Sequence, residues 1–394
     1  MSNHRRFKVN FRGFPWGREL ARLGHDVDLF CHADTAILQT HVEQVEGFRI
    51  VESPDLLVGA LRQGWDPYCA ARRGAFLFRE NKPYDIIHCL DTRLAVIWPA
   101  LAYARSRGIP IVSDWIDWWG RGGLIDERRP AWYKASFGGI ETWFEEHYRA
   151  RLDGLSAISH ALMRRGIGLG CDPSRCIVIN GAADMTTFAA PDSREAARAR
   201  VGLPNDTPVV CFSGLDVLID LPLAVQAFEI IRAQIPGTRL LLVGPSQDDA
   251  RSCASSPEAL AAITATGKVP YKDLPKILPA ADLFLLPFPN KIVNVGRWPN
   301  KIGDYMAVGR PTVANPVGEL VELFGRYDIG RLAGATADEM AAASIELLRD
   351  PARSSAIGQE ARRIAANDLN WSSQIVRLEH WYREIIRLRQ HPKN

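Results

Sequence analysis

Residues 296–323 read GRWPNKIGDYMAVGRPTVANPVGELVEL, and this stretch decides the fold that we expect for the chain. The proline before Asn300 suits the first turn of a helix, so we predict a helix over residues 300–308, closed by the glycine that follows. The next run predicts a strand over residues 310–314, and Asn-Pro-Val-Gly predicts a turn at residues 315–318. A helix, a strand and a glycine turn in this order are typical of an α/β protein.

Short β-branched runs alternate with helical patterns along the whole chain, which favours parallel sheets with crossover helices. The runs are bounded by Gly, Pro or Asp, as expected for strands that are buried on both faces. The predicted strands cover residues 26–31, 86–89, 109–113, 154–158 and 175–179, and then residues 208–213, 238–243, 283–286 and 310–314. The predicted helices between them include residues 143–151, 223–234 and 340–349.

The chain is expected to form two doubly wound α/β domains of similar size, residues 1–188 and residues 208–370. The segment between them, residues 189–207, is polar at both ends and predicts a linker with a short Arg-rich helix. Residues 371–394 start with an amphipathic pattern, which predicts a helix that crosses back to the N-terminal domain. Ligands of open α/β sheets bind where the strand order reverses, so we expect the two domains to face a central cleft.

Composition excludes several classes of protein. The net charge of +3 over 394 residues is too small to predict a nucleic-acid partner. The longest uncharged apolar run, residues 94–104, is too short for a membrane span, and the N-terminal residues show no signal peptide. Seven cysteines form no Cys-x-x-Cys pair, so we expect no metal site and a cytoplasmic protein.

The start of the predicted helix at residues 300–308 has the features of a diphosphate site. A helix N-terminus offers unpaired backbone N–H groups and a partial positive charge, and Arg297 and Lys301 flank this one. Asp304, one turn later, is placed to accept hydrogen bonds from a polyol such as ribose. An ordinary surface ion pair between Lys301 and Asp304 is the alternative that these residues alone leave open.

The segment DYMAVGRPTVANPVGELVE, residues 304–322, resembles the donor-site signature of GT-B glycosyltransferases, specifically the retaining group called glycosyltransferase family four. Two upstream segments, residues 212–245 and residues 266–288, resemble further parts of the second domain of that family. In the first half, ELARLGHDVDLF, PYDIIHCLD, RGIPIVSD, LSAISHAL and IVINGAADMTTF have counterparts in the same order. The resemblance covers nearly the whole chain.

This resemblance implies a metal-independent enzyme that transfers a sugar from a nucleotide-sugar to an acceptor hydroxyl and retains the anomeric configuration. No cofactor is implied, since the nucleotide-sugar is a co-substrate. Asp304 takes the place of a glutamate that binds the nucleotide ribose, and Lys301 stands with the bases that bind the diphosphate. The implied donor-binding residues are Gly214, Gly244, Pro245, Asn294, Arg297, Asn300, Lys301, Asp304, Gly318 and Glu322.

Three departures from the family pattern bear on catalysis. The first glutamate of the family's pair falls at Gly296, where Asn294 or Arg297 is expected to substitute. The basic pair that usually follows the first strand of the second domain is absent from LDVLIDLPL, residues 215–223. The histidine that often follows the strand at residues 109–112 is also absent, and that position reads SDWIDWWGRGG. The candidate catalytic residues are therefore Asp114 and Asp117, and the acceptor-side candidates are His88, Trp118, Trp119 and Arg121.

We therefore predict a hexosyltransferase-like enzyme of glycan or glycoconjugate biosynthesis, with a glycan, a lipid-linked molecule or a small molecule as the acceptor. Two alternatives stay open: a catalytically silent GT-B module that binds a nucleotide or glycan, and a GT-B nucleotide-sugar epimerase. Tryptophans are dense from Trp115 to Trp143, beside Arg128, Arg129 and Lys134. They predict core packing, carbohydrate stacking or a peripheral contact with the inner face of a membrane.

Residues 8–20 leave little room for a first strand, a glycine-rich turn and the start of a helix. We expect either that the native reading frame begins upstream or that this loop is shortened.

Overall fold

The structure is a computed structural model that describes residues 1–2, 4, 12–35, 37–56, 64–214 and 217–390. Residues 8–11 of the crowded N-terminal interval, and Leu215 and Asp216, therefore lie outside the described residues. The chain divides into two compact units. Unit 1 is Met1–Gly181, Gly296–Trp298 and Trp371–Asn394, and unit 2 is Ala182–Val295 and Pro299–Asn370. Both units are built on parallel strands, so the predicted α/β class is confirmed.

Unit 1 contains two sheets among the described residues. Strands β1 (Asp28–His32), β2 (His41–Val45) and β3 (Phe48–Ser53) pair in the order β1-β3-β2. Strands β4 (Ile87–Cys89), β5 (Ile111–Trp115), β6 (Gly154–Ala157) and β7 (Cys176–Val178) form a parallel sheet in that order. The backbone of Met1 and Ser2 lies between the sheets, because Ser2 N–H donates to the Phe30 carbonyl at 2.8 Å and Leu90 N–H donates to the Met1 carbonyl at 2.7 Å.

The helices of unit 1 cover the faces of these sheets. They are α1 (Gly13–Arg22), α2 (Pro67–Glu80), α3 (Leu94–Arg107), α4 (Leu124–Arg128), α5 (Ala131–Tyr133), α6 (Gly139–Arg149) and α7 (His160–Gly168). A π-helical turn, Lys134–Gly138, joins α5 to α6, and a 3₁₀ turn, Pro173–Arg175, precedes β7. The core between them is formed by buried side chains such as Phe30, Val96, Ile97, Tyr103 and Phe144.

The described residues of unit 2 contain one sheet, which is parallel and has the strand order β10-β9-β8-β11-β12-β13. Its strands are β8 (Val209–Ser213), β9 (Arg239–Val243), β10 (Ile263–Ala265), β11 (Leu283–Leu286), β12 (Thr312–Ala314) and β13 (Gly330–Leu332). In order of appearance this is 3-2-1-4-5-6, the doubly wound arrangement whose strand order reverses between β8 and β11. A ligand site is therefore expected at the carboxyl ends of β8 and β11.

The helices that follow in the chain are α8 (Arg194–Val201), α9 (Val217–Gln234), α10 (Gln247–Cys253), α11 (Pro257–Ala261), α12 (Ile292–Gly296), α13 (Lys301–Val308), α14 (Glu319–Arg326), α15 (Ala337–Arg349), α16 (Pro351–Asn367) and α17 (Trp371–Gln390). The 3₁₀ turns Tyr271–Lys276 and Leu278–Ala280 precede β11. Helix α13 ends at Gly309, whose φ of +79° is the left-handed cap predicted from the sequence.

The predicted strands are all present, with ends that differ from the prediction by one or two residues. Strands β10 and β13 and the β2–β3 hairpin were not predicted from the sequence. Strand β2 is largely exposed and mostly polar, so it carries no buried-strand signal. Its turn is formed by Glu46 and Gly47, both with positive φ. The usual sequence of such a turn has Asn or Asp before the glycine, so a glutamate there does not predict a hairpin.

The segment at residues 189–207 needs a correction, because it is an integral part of unit 2. It contains α8, and the buried Arg198 of that helix donates to the Ala280 carbonyl at 2.9 Å, the Thr207 carbonyl at 2.9 Å and the Asp282 carboxylate at 2.6 Å. The boundary between the units falls earlier, between Gly181 and Ala182. An arginine-rich, polar stretch predicts a linker only if its charges are solvated, and here one is buried.

Helix α17 belongs to unit 1. Ser372 donates to Glu19 of α1 at 2.7 Å, and Arg377 donates to the Val178 carbonyl of β7 at 3.0 Å. Its inward face is apolar, with Trp371, Ile375, Leu378 and Ile385 buried.

Candidate active site

Two glycines form the floor of the site in unit 2. Gly214 directly follows β8 and Gly244 directly follows β9, at the carboxyl edge where the strand order reverses. Gly244 has a φ of +111°, and a Cβ at this position would collide with the Gly214 carbonyl oxygen. The two backbone segments therefore approach closely only because Gly244 lacks a side chain. Pro245, beside them, is buried.

The side chain of Lys301 lies over this floor. A Cβ on Gly214 would collide with Lys301 Nζ, and the same nitrogen lies 4.6 Å from the centre of the Phe212 ring. Asp220, buried in the first turn of α9, places a carboxylate oxygen 3.7 Å from Nζ. Lys301 therefore brings a positive charge to the carboxyl end of β8, and Asp220 holds it there.

The start of α13 has fewer unpaired backbone N–H groups than the sequence predicted. Ile302 N–H donates to the Pro299 carbonyl at 3.0 Å, and Gly303 N–H donates to the Asn300 carbonyl at 3.2 Å. Asn300 is exposed and makes no side-chain cap. Because these first-turn N–H groups already have partners, the Lys301 ammonium is the main group that this end of the helix offers to an anion.

Asp304 lies one turn further along α13. Its Oδ1 accepts a hydrogen bond of 2.9 Å from the Tyr271 hydroxyl. Burial raises the pKa of Asp304 to about 7; the Tyr271 hydrogen bond lowers it and the negative charge of Asp184 raises it. An ionised Asp304 can accept from a hydroxyl group, so the site has a polyol acceptor as well as a cation.

The glycine turn after β12 supports the same edge of unit 2. Gly318 has a φ of +57°, and a Cβ there would lie 2.9 Å from the carbonyl oxygens of Asn294 and Val295. Asn294 is buried and donates to the Pro289 carbonyl at 2.7 Å, so it fixes the loop before α12.

Glu322 is exposed on α14, and its role in donor binding stays a prediction. The buried glutamate at the start of α14 is Glu319, one turn earlier, which was not predicted from the sequence. Its signal is the helical spacing, because Glu319 shares a face with the buried Leu320 and Leu323.

Asp114 lies in β5 with no exposed surface. Arg12 donates through Nη2 to Asp114 Oδ1 at 2.8 Å, and Ser156 of β6 donates to the same oxygen at 2.5 Å. Burial would raise the pKa of Asp114, but the Arg12 guanidinium outweighs it and holds the pKa below its usual range. Asp114 is thus a paired carboxylate inside unit 1, which argues against direct contact with a substrate.

His88 belongs to the same network. Its Nδ1 lies 2.6 Å from the Tyr382 hydroxyl of α17, and its Nε2 lies 3.2 Å from Ser156 Oγ. Burial lowers the pKa of His88 to about 3, although the Asp114 carboxylate opposes this shift. A neutral imidazole with both ring nitrogens engaged tethers α17 to the sheet, so the prediction of an acceptor-side role for His88 is not supported.

Three polar side chains follow neighbouring strands of unit 1 at the same offset. Asp91, Asp117 and Ser159 are each the second residue after the end of β4, β5 and β6. Because these strands are parallel neighbours, the three residues share one carboxyl edge of the sheet. Asp91 and Ser159 were not predicted to belong to this group. The sequence of one strand does not show how that strand aligns with its neighbours in the sheet.

Asp117 is a carboxyl group at this sheet edge whose pKa is raised. Burial raises its pKa, and the positive charge of Arg297 is the largest influence that opposes the shift, followed by Arg128. Asp117 is partly exposed, in contrast to Asp114. A carboxylate with a raised pKa at a sheet edge is suited to hold a hydroxyl group.

The stretch SDWIDWWGRGG turns around Glu145 of α6. The buried Glu145 carboxylate accepts from Trp115 Nε1 at 2.9 Å, from Trp119 N–H at 2.9 Å and from Gly120 N–H at 2.5 Å. Trp115 is fully buried, whereas Trp118 and Trp119 are half-buried and Arg121 is exposed. The tryptophans thus divide between core and surface.

Trp118 and Trp119 each lie beneath a cation. Arg165 lies 4.0 Å from the centre of the Trp118 ring, and Arg93 lies 4.6 Å from that of Trp119. The sequence did not predict these contacts, because Arg165 in α7 and Arg93 before α3 are distant in sequence from the two tryptophans.

Residues Gly296–Trp298 also belong to unit 1. Ser159 donates to the Gly296 carbonyl at 2.6 Å, and a Cβ on Gly296 would lie 3.2 Å from the Cβ of Trp118. A side chain at Gly296, where the family pattern has its first glutamate, would therefore press against Trp118. The neighbouring Arg297 lies close enough to Asp117 for its positive charge to lower the pKa of that carboxyl group. Arg297 thus belongs to the same unit as the acceptor-side residues, whereas Lys301 belongs to unit 2.

Among the described residues, no group of three or more His, Cys, Asp or Glu side chains could hold a metal ion. No helix in the described part of the chain is both long and apolar enough to cross a membrane.

Two family models match the chain. One, described as "Glycosyl transferase 4-like domain", matches residues 16–181, and the other, "Glycosyl transferases group 1", matches residues 207–350. The chain is 26% identical over 386 residues to D-inositol 3-phosphate glycosyltransferase 1 of Catenulispora acidiphila, covering 94% of this chain and 88% of that protein. It is 29% identical to the GDP-mannose-dependent alpha-(1-6)-phosphatidylinositol monomannoside mannosyltransferase of Mycolicibacterium smegmatis, over 50% of this chain and 53% of that one.

Solved structures show the same fold. Sucrose-phosphate synthase from Thermosynechococcus elongatus aligns with a TM-score of 0.72 at 22% identity, over 94% of this chain and 92% of that one. Anabaena HepE in complex with UDP and glucose aligns with a TM-score of 0.65 at 16% identity, over 94% of this chain and 95% of that one.

Proposed function

We propose a role in sugar transfer for individual residues of this chain, which belongs to the GT-B glycosyltransferases. Its first half matches the glycosyl transferase 4-like domain and its second half matches the glycosyl transferases of group 1. The enzyme moves a sugar from a nucleotide-sugar donor to an acceptor hydroxyl in glycan biosynthesis. In our proposal the donor binds to unit 2 and the acceptor to unit 1, no metal ion takes part, and the anomeric configuration is retained.

The observation that carries the donor half is the position of Lys301 over Gly214. The carboxyl end of β8, at the strand-order reversal, is where an α/β sheet binds a nucleotide. There the Lys301 ammonium neutralises the diphosphate as the bond from the anomeric carbon to the phosphate oxygen breaks. Asp304 accepts from the ribose, and the glycines let the base approach the backbone near Pro245.

The acceptor half is formed by Asp117, Trp118 and Arg121. Asp117 holds the acceptor hydroxyl, whose oxygen forms the new bond to the anomeric carbon, and its proton passes to the leaving diphosphate. Trp118 and Trp119 supply flat apolar faces of the kind on which sugar rings pack. Asp114 and His88 act only by keeping β5 and β6 in place.

Titration of UDP, GDP and ADP by calorimetry, followed by transfer assays with the matching hexose donors, tests this assignment. We expect micromolar to millimolar binding of one nucleoside diphosphate without added metal, and unchanged binding in EDTA. Binding without any sugar transfer or donor hydrolysis would favour the silent module. Interconversion of the donor sugar without an acceptor would favour the epimerase, and no binding would refute the donor site.

The acceptor is proposed to be lipid-linked, on the basis of an apolar surface in unit 1. We define the aromatic face as Trp98, Trp132, Phe137, Ile140 and Trp143, each of which keeps at least 40% of its surface exposed. Four of them lie on the helical run from α5 to α6 that the π-turn interrupts. Large apolar side chains that are exposed together along one helical run indicate an interaction site.

Cations flank the aromatic face at both ends. Arg129 lies 4.9 Å from the centre of the Tyr133 ring, next to Trp132. At the other end, exposed Arg151 donates to the carbonyl of His147, whose ring stacks on Trp143 at 4.3 Å. Apolar rings between cations are the pattern of a helix that lies on an anionic membrane, so we propose a peripheral enzyme at a cytoplasmic membrane face.

The double variant Trp132→Ser, Trp143→Ser is expected to bind anionic vesicles roughly tenfold or more weakly than the wild type, because two large rings no longer enter the lipid interface. Co-sedimentation with vesicles of phosphatidylcholine and phosphatidylglycerol measures this. Val376→Ser, which alters an exposed apolar side chain on α17, should leave vesicle binding unchanged. Equal binding by the double variant and the wild type would contradict the proposed surface.

A further inference from the structure

The carboxylate of Asp304 is held by a side chain from another part of unit 2. Tyr271 opens the 3₁₀ turn after β10, thirty-three residues before Asp304, and its hydroxyl donates to Asp304 Oδ1 at 2.9 Å. The Tyr271 ring also contacts the ring of Phe188, with 6.2 Å between centres and an edge-on angle of 74°. The phenol is therefore fixed by packing on one side and by the carboxylate on the other.

This bond leaves the two carboxylate oxygens of Asp304 in different states. Oδ1 already accepts from Tyr271, whereas Oδ2 has no protein partner in the part of the chain that the structure describes. An aspartate is one methylene shorter than the glutamate of the resembled pattern, and it gains a fixed direction from the phenol. A carboxylate held in one rotamer loses less conformational entropy when it accepts a hydroxyl.

The phenol also favours the ionised form of Asp304. Burial raises the pKa of this carboxyl to about 7, and Asp184 raises it further, but the Tyr271 hydrogen bond opposes both. The hydroxyl of Tyr305, next to Asp304 on α13, is engaged with Ser213 at 3.0 Å, and Arg362 of α16 donates to the Ala307 carbonyl. Tyr271 is therefore the neighbour that stabilises the charged, hydrogen-bond-accepting state.

We propose that Tyr271 is a positioning residue that sets the ribose specificity of the donor site: it orients Asp304 so that Oδ2 accepts from the ribose 2′-hydroxyl of the nucleotide. The inference rests on the proposed donor site in unit 2. It predicts that the enzyme distinguishes a ribonucleotide from its 2′-deoxy analogue, and that this discrimination depends on a side chain that does not touch the sugar.

The test compares GDP with 2′-deoxy-GDP, and UDP with 2′-deoxy-UDP, by calorimetry. A hydrogen bond to a charged acceptor is worth about 1.5–3 kcal/mol, so wild type should prefer the ribonucleotide by roughly 10- to 150-fold. Tyr271→Phe should reduce this ratio to about threefold or less. Tyr327→Phe, which removes a phenol from the end of α14, is the matched control and should leave the ratio unchanged.

The pH dependence of the affinity ratio between ribonucleotide and 2′-deoxynucleotide is a second measurement. It would not change in Tyr271→Phe if Tyr271 had only a structural role. In the wild type the ratio should fall as the pH drops below about 7, because Asp304 becomes protonated. In Tyr271→Phe the midpoint should move to higher pH, since the hydrogen bond that favoured the carboxylate is gone. Nucleotide binding with no 2′-hydroxyl preference, or an unchanged ratio and midpoint in Tyr271→Phe, would overturn the inference alone. Absence of any nucleotide binding would overturn the donor site as well.

Discussion

Replacement of Lys301 by alanine is expected to lower kcat/KM for sugar transfer by about 100- to 1,000-fold, the usual effect of removing one group that stabilises developing charge. The ammonium lies over Gly214 at the strand-order reversal, where the leaving diphosphate gains negative charge in our proposal. Its loss would also leave the buried carboxylate of Asp220 facing the phosphate, and like-charge repulsion adds to the effect. The measurement is steady-state transfer with the donor found by nucleotide titration.

Lys276→Ala is the matched control for this change. Lys276 lies in the same unit, is half exposed and pairs with Asp273 at 2.8 Å in the 3₁₀ turn, so its removal should leave kcat/KM within about twofold. Lys301→Arg, which keeps the charge but not the shape, should retain more activity than Lys301→Ala. If Lys301→Ala bound the nucleoside diphosphate as tightly as wild type, the diphosphate would have to lie elsewhere.

Local sequence signals were sufficient for most of the fold. Helix α13 was predictable at both ends, because Pro299 and Gly309 act through the backbone of the helix itself. The structure of residues 189–207 was not predictable, because the burial of Arg198 depends on the Ala280 carbonyl and the Asp282 carboxylate, which are 82 and 84 residues away in the sequence. Strand β2 was not predicted for a related reason. An exposed edge strand is stabilised by its pairing with β3 and not by its own apolar pattern.

The site shows the same division between local and distant causes. The motif placed Lys301 and Asp304 on one helix, but it could not show that Tyr271 binds Asp304 or that Asp220 holds Lys301. Asp114 and Asp117 are three positions apart in SDWIDWW and look equivalent in the sequence. In the structure the Asp114 carboxylate is fully buried, whereas Asp117 is partly exposed. Which of two nearby aspartates is buried is decided by tertiary packing.

Asp114→Ala is expected to lower the free energy of unfolding of unit 1 by about 3–5 kcal/mol, the cost of removing one partner from a buried ion pair. Arg12 would keep its charge in a buried position without the carboxylate, and the Ser156 hydroxyl, which also contacts His88, would lose its acceptor. Urea unfolding followed by tryptophan fluorescence measures the loss. Asp117→Asn is the matched comparison, and it should reduce sugar transfer while leaving the unfolding midpoint nearly unchanged.

Acid unfolding provides an independent check on the same network. The pKa of Asp114 is lower in the folded than in the unfolded protein, so its contribution to stability is present above about pH 4 and is lost as the pH falls through the folded-state value. The pKa of His88 is about 3 in the folded protein and about 6.5 when unfolded, so stability also falls as the pH drops from 6.5 towards 3. Asp114→Asn should flatten the lower part of this profile. A variant at Asp114 that folds with wild-type stability but cannot transfer sugar would reverse the assignment, making Asp114 the reactive carboxylate and Asp117 the structural one.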